Sequence, residues 1–221
     1  MKIEVEYLFE RDAINYLSSV YKFKWSKHGR KGLEDRIARY LPESFYNGVR
    51  KAKSENEVRQ LIKEYLQNNY KVNLKLAKEV SNNLKKTWNL YGKKIEKELE
   101  VVFNEKFPFK KLNIYLTTIP ISPYKYPDWI LVYINLATEK QLNVIKHELN
   151  HFMFHHYYSY LEEEIGKDQF QSLKESLTVL TNPEERGYPT ELKLREWLKL
   201  QKDSLHDIIK EETWKKFLVR K

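Results

Sequence analysis

The sequence contains no cysteine, which excludes disulfides, thiolate metal ligands and thiol nucleophiles together. Any metal in this chain must therefore be held by histidine and carboxylate side chains. No apolar run approaches the ~18 residues of a membrane-spanning helix. Met1–Glu6 has neither the basic nor the apolar region of a signal peptide. From these absences we expect a soluble cytoplasmic protein without a membrane span.

The composition is that of a folded chain, because 41% of the residues are hydrophobic and 14% are aromatic. The net charge is +9, and residues 20–75 carry most of it, with fourteen Lys and Arg against six Asp and Glu. Within that stretch, Lys22–Lys31 combines basic side chains with a tryptophan and glycines. Such a mixture can grip phosphates and stack a base, and it is also common on solvated surfaces. Nucleic acid therefore stands as an alternative partner.

Apolar spacing divides the chain into a mainly helical, basic region (1–105) and a mixed region (106–221), which we expect to pack as one compact unit. In the first region, a capping box at Ser54 predicts a helix to about residue 70, and a second helical pattern runs from 72 to 103. In the second, period-two alternation predicts a strand at 112–117. A further apolar run predicts a strand at a sheet edge over Trp129–Ile134.

The five residues from His147 to His151 read His-Glu-x-x-His inside a helical pattern that begins near Thr138. Residues four apart lie on one face of a helix, so these two histidines can offer both imidazoles to one Zn²⁺. Glu148 is turned by about 100° and still borders the same space. The apolar stripe that includes Leu149 lies about 200° from His147. The spacing therefore predicts a metal site with a base beside it.

A catalytic zinc has three protein ligands and keeps one position open for water. Glu175 is the leading candidate for the third ligand, because it lies on a second predicted helix whose apolar stripe points away from it. It could instead be an ordinary exposed glutamate. The competing carboxylates are Glu162–Glu164, which read as a solvated charge run, and Asp168.

His147-Glu148-x-x-His151 followed by Glu175 resembles the gluzincin branch of zincin metallopeptidases. The resemblance implies that His147, His151 and Glu175 bind Zn²⁺ and that Glu148 takes the proton of the metal-bound water. The branch has an acidic residue four places after its glutamate ligand, and Val179 stands there in this chain. The residue that orients His147 is therefore not identified by the resemblance.

The resemblance covers roughly residues 112–180 and implies an α+β, zincin-like fold. In that fold a small mixed sheet lies beside the His-Glu-x-x-His helix, and an extended peptide substrate pairs with the edge strand. The leading function is thus a zinc endopeptidase. The alternatives are a nucleic-acid-associated or regulatory zinc protein and a catalytically silent zincin scaffold. Candidates for the oxyanion donor or for the cleft are the following residues: Tyr157, Tyr158, Tyr188, His155 and Arg195.

Overall fold

The computed structural model describes residues 1–24, 38–187 and 189–218, which form a mainly helical α+β structure. The strands and α-helices are, in order, β1 (Lys2–Glu6), α1 (Phe9–Lys24), α2 (Glu43–Lys51), α3 (Glu55–Phe103), β2 (Lys111–Thr117), β3 (Tyr124–Lys125), β4 (Trp129–Tyr133), α4 (Thr138–Tyr158), α5 (Leu161–Ile165), α6 (Lys167–Leu177), α7 (Leu192–Lys199) and α8 (Leu205–Glu211). Short 3₁₀ helices cover Thr178–Leu180 and Thr213–Phe217. The α+β class that the sequence predicts is confirmed.

The described strands form one mixed sheet in the order β1-β2-β4-β3. β2 and β4 are parallel, with Ile114 opposite Ile130, whereas β3 is antiparallel to β4, with Lys125 opposite Trp129. In β2 the burial alternates along most of the strand, as the period-two pattern predicts. β4 is buried at four of its five positions, which fits a strand with neighbours on both sides.

The prediction that Trp129–Ile134 lies at a sheet edge is wrong. Tyr124–Lys125 folds back to pair with the start of β4, so β4 is an inner strand of the sheet. The N–H of Leu131 donates to the carbonyl of Pro123 at 2.8 Å, which extends the main-chain pairing along this edge of β4 by one residue. The start of β4 therefore has no unpaired edge that a peptide could join.

A single 49-residue helix, α3, replaces the two helices predicted on either side of residue 71. It begins where the capping box predicts, because Ser54 Oγ accepts a hydrogen bond from the Glu57 N–H at 3.2 Å. Glu57 in turn accepts from the N–H of Lys53 at 2.8 Å. The helix contains no proline, and its only glycine is Gly92, so nothing in the sequence ends it near residue 71.

Gly92 lies inside α3 because the Trp88 ring occupies the space beside it. A Cβ at Gly92 would lie 2.5 Å from a carbon of that indole, which is too close for any larger residue. The helix ends at Phe103, where Asn104 adopts a left-handed conformation with φ 52°. Despite the length of α3, no helix within the described ranges is apolar enough over sufficient length to cross a membrane.

The chain divides into two compact units, each built from separated stretches. The sheet unit comprises Lys2–Thr87 and Leu112–Gln141, and the helical unit comprises Met1, Trp88–Lys111 and Leu142–Lys221. The sheet unit has a core formed by Tyr16, Val20, Leu41, Phe45, Val49, Ala52, Val58, Ile62, Leu66 and Ile119. In the helical unit the largest fully buried side chains include Trp214, Phe103, Phe152, Phe154 and Phe170. The division at residue 105 stays a prediction from composition.

Within the sheet unit, Asp12 connects α1 to the end of β2. It is fully buried, and its carboxylate accepts from Tyr7 Oη at 3.0 Å and Thr117 Oγ1 at 2.7 Å. It also accepts from Thr118, through the N–H at 3.0 Å and through Oγ1 at 2.7 Å. Burial raises the pKa of Asp12, although its hydrogen-bond donors oppose that shift. All four of these groups donate hydrogen bonds, so the site requires a side chain that accepts hydrogen bonds at both of its oxygens.

We expect Asp12→Asn to lower the free energy of unfolding by about 2–4 kcal/mol, because an amide nitrogen would face donors where an oxygen now accepts. The matched control is Glu10→Gln, which removes one negative charge from an exposed position of the same helix and should change stability by less than about 0.5 kcal/mol. Urea unfolding followed by circular dichroism measures both. Equal effects of the two substitutions would refute this role for Asp12.

Candidate metal centre

Three side chains from two helices of the helical unit meet around one point. His147 and His151 come from α4 and Glu175 from α6, and one ligand atom of each lies within 4.8 Å of the other two. Glu175 Oε2 is 3.3 Å from His151 Nε2 and 3.6 Å from His147 Nε2. The two imidazole centroids are 4.4 Å apart. The structure therefore brings together the three predicted ligands as a group that could hold a metal ion.

The burial of each helix explains why these side chains face each other. On α4, Ile145 and Leu149 are fully buried on the side away from the histidines. On α6, Phe170 and Leu173 are fully buried, which leaves Glu175 on the less buried side. α6 begins after Gly166, whose φ of 80° is a conformation that favours glycine and lets the chain turn out of α5.

Glu148 supplies a test of whether a metal fits this group. The residue is 6% exposed, and its Oε2 has no hydrogen-bond partner in the part of the chain that the structure describes. A buried carboxylate oxygen without a partner is unusual and indicates that a polar group is missing beside it. Two imidazoles and one carboxylate form a donor set typical of zinc sites that keep a position for water. The donor set and the unsatisfied oxygen both fit a metal with a water molecule.

Glu185 orients His147 from behind, a role that the sequence did not reveal. Its Oε1 lies 2.8 Å from His147 Nδ1, so Nε2 of the same ring faces Glu175. A carboxylate on the far nitrogen of a metal-binding histidine fixes the ring and increases its basicity. The resemblance directs attention to Val179, which is 1% exposed. The sequence feature that could have revealed Glu185 is a pair of glutamates directly after the Asn-Pro turn at 182–183.

Arg195 links the two segments that carry the carboxylates. Its Nη1 donates to the main-chain carbonyl of Glu175 at 2.7 Å, and its Nη2 donates to that of Glu185 at 3.0 Å. A second bond from Nη1 reaches Thr178 Oγ1 at 3.1 Å. Gly187 makes room for this side chain, because a Cβ there would collide with Arg195 Cδ. The guanidinium thus bonds to protein groups, and its predicted oxyanion role stays a prediction.

Lys174 places a buried positive charge beside the candidate ligands. Its Nζ lies 3.3 Å from Glu175 Oε1, while Glu175 Oε2 faces the histidines. The two oxygens of Glu175 therefore have different partners. This arrangement favours coordination through a single oxygen of that carboxylate, and sequence reasoning did not single out Lys174.

The remaining predicted cleft residues lie in different surroundings. The hydroxyl of Tyr157 donates to a main-chain carbonyl at 2.5 Å, and the buried hydroxyl of Tyr158 has no hydrogen-bond partner within residues 1–24, 38–187 and 189–218. His155 packs against the ring of Phe170 at 5.5 Å, and burial lowers its pKa to about 4. Tyr188 and residues 25–31 of the basic segment lie outside the described residues.

The charges of the group are strongly coupled. Burial lowers the pKa of His147, but hydrogen bonds with Glu175 and Glu185 outweigh it and raise that pKa to about 10. Burial raises the pKa of Glu148 to about 8 and lowers that of His151 to about 3. Burial also acts to raise the pKa of Glu175, but hydrogen bonds with both histidines hold it well below its usual range. The metal-free group therefore keeps a proton on His147 at neutral pH.

Comparison with protein-family models gives no match, and comparisons with curated proteins and with solved structures give none either. The function is therefore inferred from the geometry of the group around His147, His151 and Glu175.

We expect Glu185→Gln to weaken metal binding about 10–100-fold, because His147 would lose the carboxylate that orients its ring. Glu184→Gln is the matched control, since it removes the same charge from the exposed neighbouring position and should leave the affinity unchanged. Competition with a chromophoric chelator measures both affinities. An unchanged affinity in Glu185→Gln would show that this hydrogen bond does not support the metal.

A second expectation concerns pH. The pKa of His147 in the metal-free protein is about 10, so below that pH a metal must displace its proton. The apparent affinity should therefore rise with pH, by up to about tenfold per unit between pH 7 and 9. The folding stability of the metal-free protein changes with pH in the opposite direction. Protonated His147 contributes stability that is complete below the pKa of this histidine in the unfolded chain, and this stability is lost as the pH rises towards 10.

Calorimetric titration with Zn²⁺ at several pH values, in buffers of different ionisation enthalpy, counts the protons released. We expect at least about one proton per metal at pH 7.5. An affinity that does not change between pH 7 and 9 would contradict the protonated state of His147.

Proposed function

We propose that the protein is a zinc-dependent endopeptidase of the gluzincin type, with a zincin-like fold. The observation that carries the proposal is the buried Oε2 of Glu148, which has no hydrogen-bond partner among the described residues and lies beside a group of two histidines and one carboxylate. Nitrogen and carboxylate donors without sulfur suit Zn²⁺, and His147, His151 and Glu175 would hold it. A base next to such an ion is what hydrolysis of a peptide bond requires.

The number of protein ligands supports a catalytic site over a structural one. Structural zinc sites are closed by four protein ligands, whereas catalytic sites have three and an open position. In the described part of the chain the group has three members, and the nearby Glu185 is already bonded to the far nitrogen of His147. This count favours the peptidase over a zinc site that only stabilises the fold.

The chain's own residues provide the remaining parts of the mechanism. When bound, the ion supplies a Lewis acid that makes a water molecule acidic near neutral pH and polarises the scissile carbonyl. Glu148 accepts the proton of the attacking water at Oε2 and delivers it to the leaving amine. Burial raises the pKa of Glu148 in the metal-free chain, and a cation bound beside it would favour the ionised carboxylate that accepts this proton. Glu185 holds the ring of His147, and Lys174 holds the second oxygen of Glu175.

We expect Glu148→Gln to retain one zinc per chain and to lose cleavage of a fluorogenic peptide library by about 10²–10⁴-fold, because the proton acceptor is gone.

Glu175→Gln should lose both zinc affinity and cleavage, because a carboxylate ligand is replaced by a weak neutral donor. The control is Glu163→Gln, an exposed glutamate of α5 that also tests the competing charge run. It should behave as the wild type does.

Metal analysis and library cleavage on the same preparations distinguish the alternatives. Bound zinc without cleavage of any library peptide by the wild type would support the silent scaffold and contradict the peptidase. Full activity in Glu175→Gln would remove that residue from the ligand set. Equal cleavage by the wild type and Glu148→Gln would show that the activity belongs to a contaminant or to another group.

A further inference from the structure

A groove of about 770 Å³ opens on the helical unit along the last part of α3. Its other walls come from α4, from the end of the 3₁₀ helix at Thr178–Leu180 and from the segment that follows it. The lining residues are Lys93, Lys94, Lys97, Glu98, Val101, Val102, Lys146, Leu180, Thr181 and Pro183. We call this the α3 groove.

The α3 groove carries an excess of positive charge, with four lysines against one glutamate. Glu98 is already neutralised, because its carboxylate lies 2.6 Å from Lys146 Nζ and 3.9 Å from Lys94 Nζ. Lys93 and Lys97 are exposed, and among the described residues neither has an acidic partner within 4.0 Å. The positive charges of Lys93 and Lys97 can therefore pair with a negatively charged ligand.

Exposed apolar side chains flank these lysines on the same face of α3. Leu90 is 75% exposed and Val101 is 77% exposed, and eleven residues correspond to about three helical turns, so both project in nearly the same direction. Lys94 and Lys97 lie between them on that face. A face with basic groups between apolar groups complements a ligand with carboxylates and apolar side chains.

The α3 groove is separate from the base of the candidate metal centre. Lys146 lines the groove, and Glu148 is two residues further along α4, which places it about 200° around the helix. The groove therefore lies on the flank of α4 that is turned away from Glu148. A ligand there would leave the group around Glu148 accessible.

We propose that the α3 groove binds an acidic, partly apolar peptide segment of a protein partner. From Lys93 to Val101 the helix rises about 12 Å, which matches about four residues of extended peptide. Carboxylates of the segment pair with Lys93 and Lys97, and its apolar side chains contact Val101, Val102 and Leu180. A peptide fits better than nucleic acid, because the described lining residues include no aromatic ring to stack a base.

This proposal does not rest on the peptidase function, because binding in the α3 groove requires neither metal nor Glu148. In an active peptidase the groove would hold a protein substrate at a second point, away from the scissile bond. The test is therefore made with the full chain in EDTA and repeated with Glu148→Gln. If the peptide binds in EDTA and also binds to Glu148→Gln, then binding in the groove does not depend on whether the protein cleaves peptides.

The probe is a fluorescein-labelled eight-residue peptide of glutamate with leucine at every third position, and binding is followed by fluorescence anisotropy. We expect Lys93→Glu combined with Lys97→Glu to weaken binding at least about tenfold. The matched control combines Lys85→Glu with Lys86→Glu, the same charge change at exposed positions of α3 outside the groove, and should stay within about twofold of wild type. Val101→Ser should weaken binding about threefold through lost apolar contact.

Three outcomes would overturn the proposal. Equal weakening by the two lysine pairs would show that only net charge matters. Equal binding of a peptide with glutamine in place of glutamate would remove the role of the carboxylates. An oligonucleotide of the same charge that binds as tightly as the peptide would identify a general polyanion surface.

Discussion

The arrangement of the candidate metal centre depends on one hydrogen bond, between Glu185 and Nδ1 of His147. This hydrogen bond leaves the other ring nitrogen, Nε2, facing Glu175. The carboxylate of Glu185 belongs to an irregular segment that is neither helix nor strand. Arg195 compensates for the missing regular structure, because its guanidinium bonds to the main chain of both glutamates. A buried cation in turn requires hydrogen-bond acceptors, and two main-chain carbonyls and the Thr178 hydroxyl supply them here.

The sequence predicts those parts of the centre that follow from local geometry. Two histidines four apart on a capped amphipathic helix define half of the ligand set, since helical spacing alone brings them to one face. Glu175 was predicted because it lies on a second helix whose apolar stripe points away from it, and because the resemblance indicates the same residue. Glu185 and Lys174 were not predicted. Glu185 lies in an irregular segment without periodicity, and the burial of Lys174, a residue type that is usually exposed, has no signal in the sequence.

The same limit explains the outcomes for the fold. Strand β2 and the start of α3 were predicted, because alternation and a capping box are local features. The position of β4 within the sheet was not, because the strand that covers it has only two residues and carries no detectable pattern. The expected break in α3 failed for the opposite reason: a short polar stretch such as residues 67–69 does not end a helix when no proline or glycine stands there.

The way the chain passes between the two units has a consequence for biosynthesis. The sheet unit is complete once Gln141 has been made, whereas the helical unit still requires all of the chain from Leu142 onward. Folding during translation would therefore finish the sheet unit first, while the end of α3 waits for its later partners. His147, His151, Glu175 and Glu185 all follow that point. The nascent protein thus acquires its metal-binding capacity only after all of the sheet unit has been made.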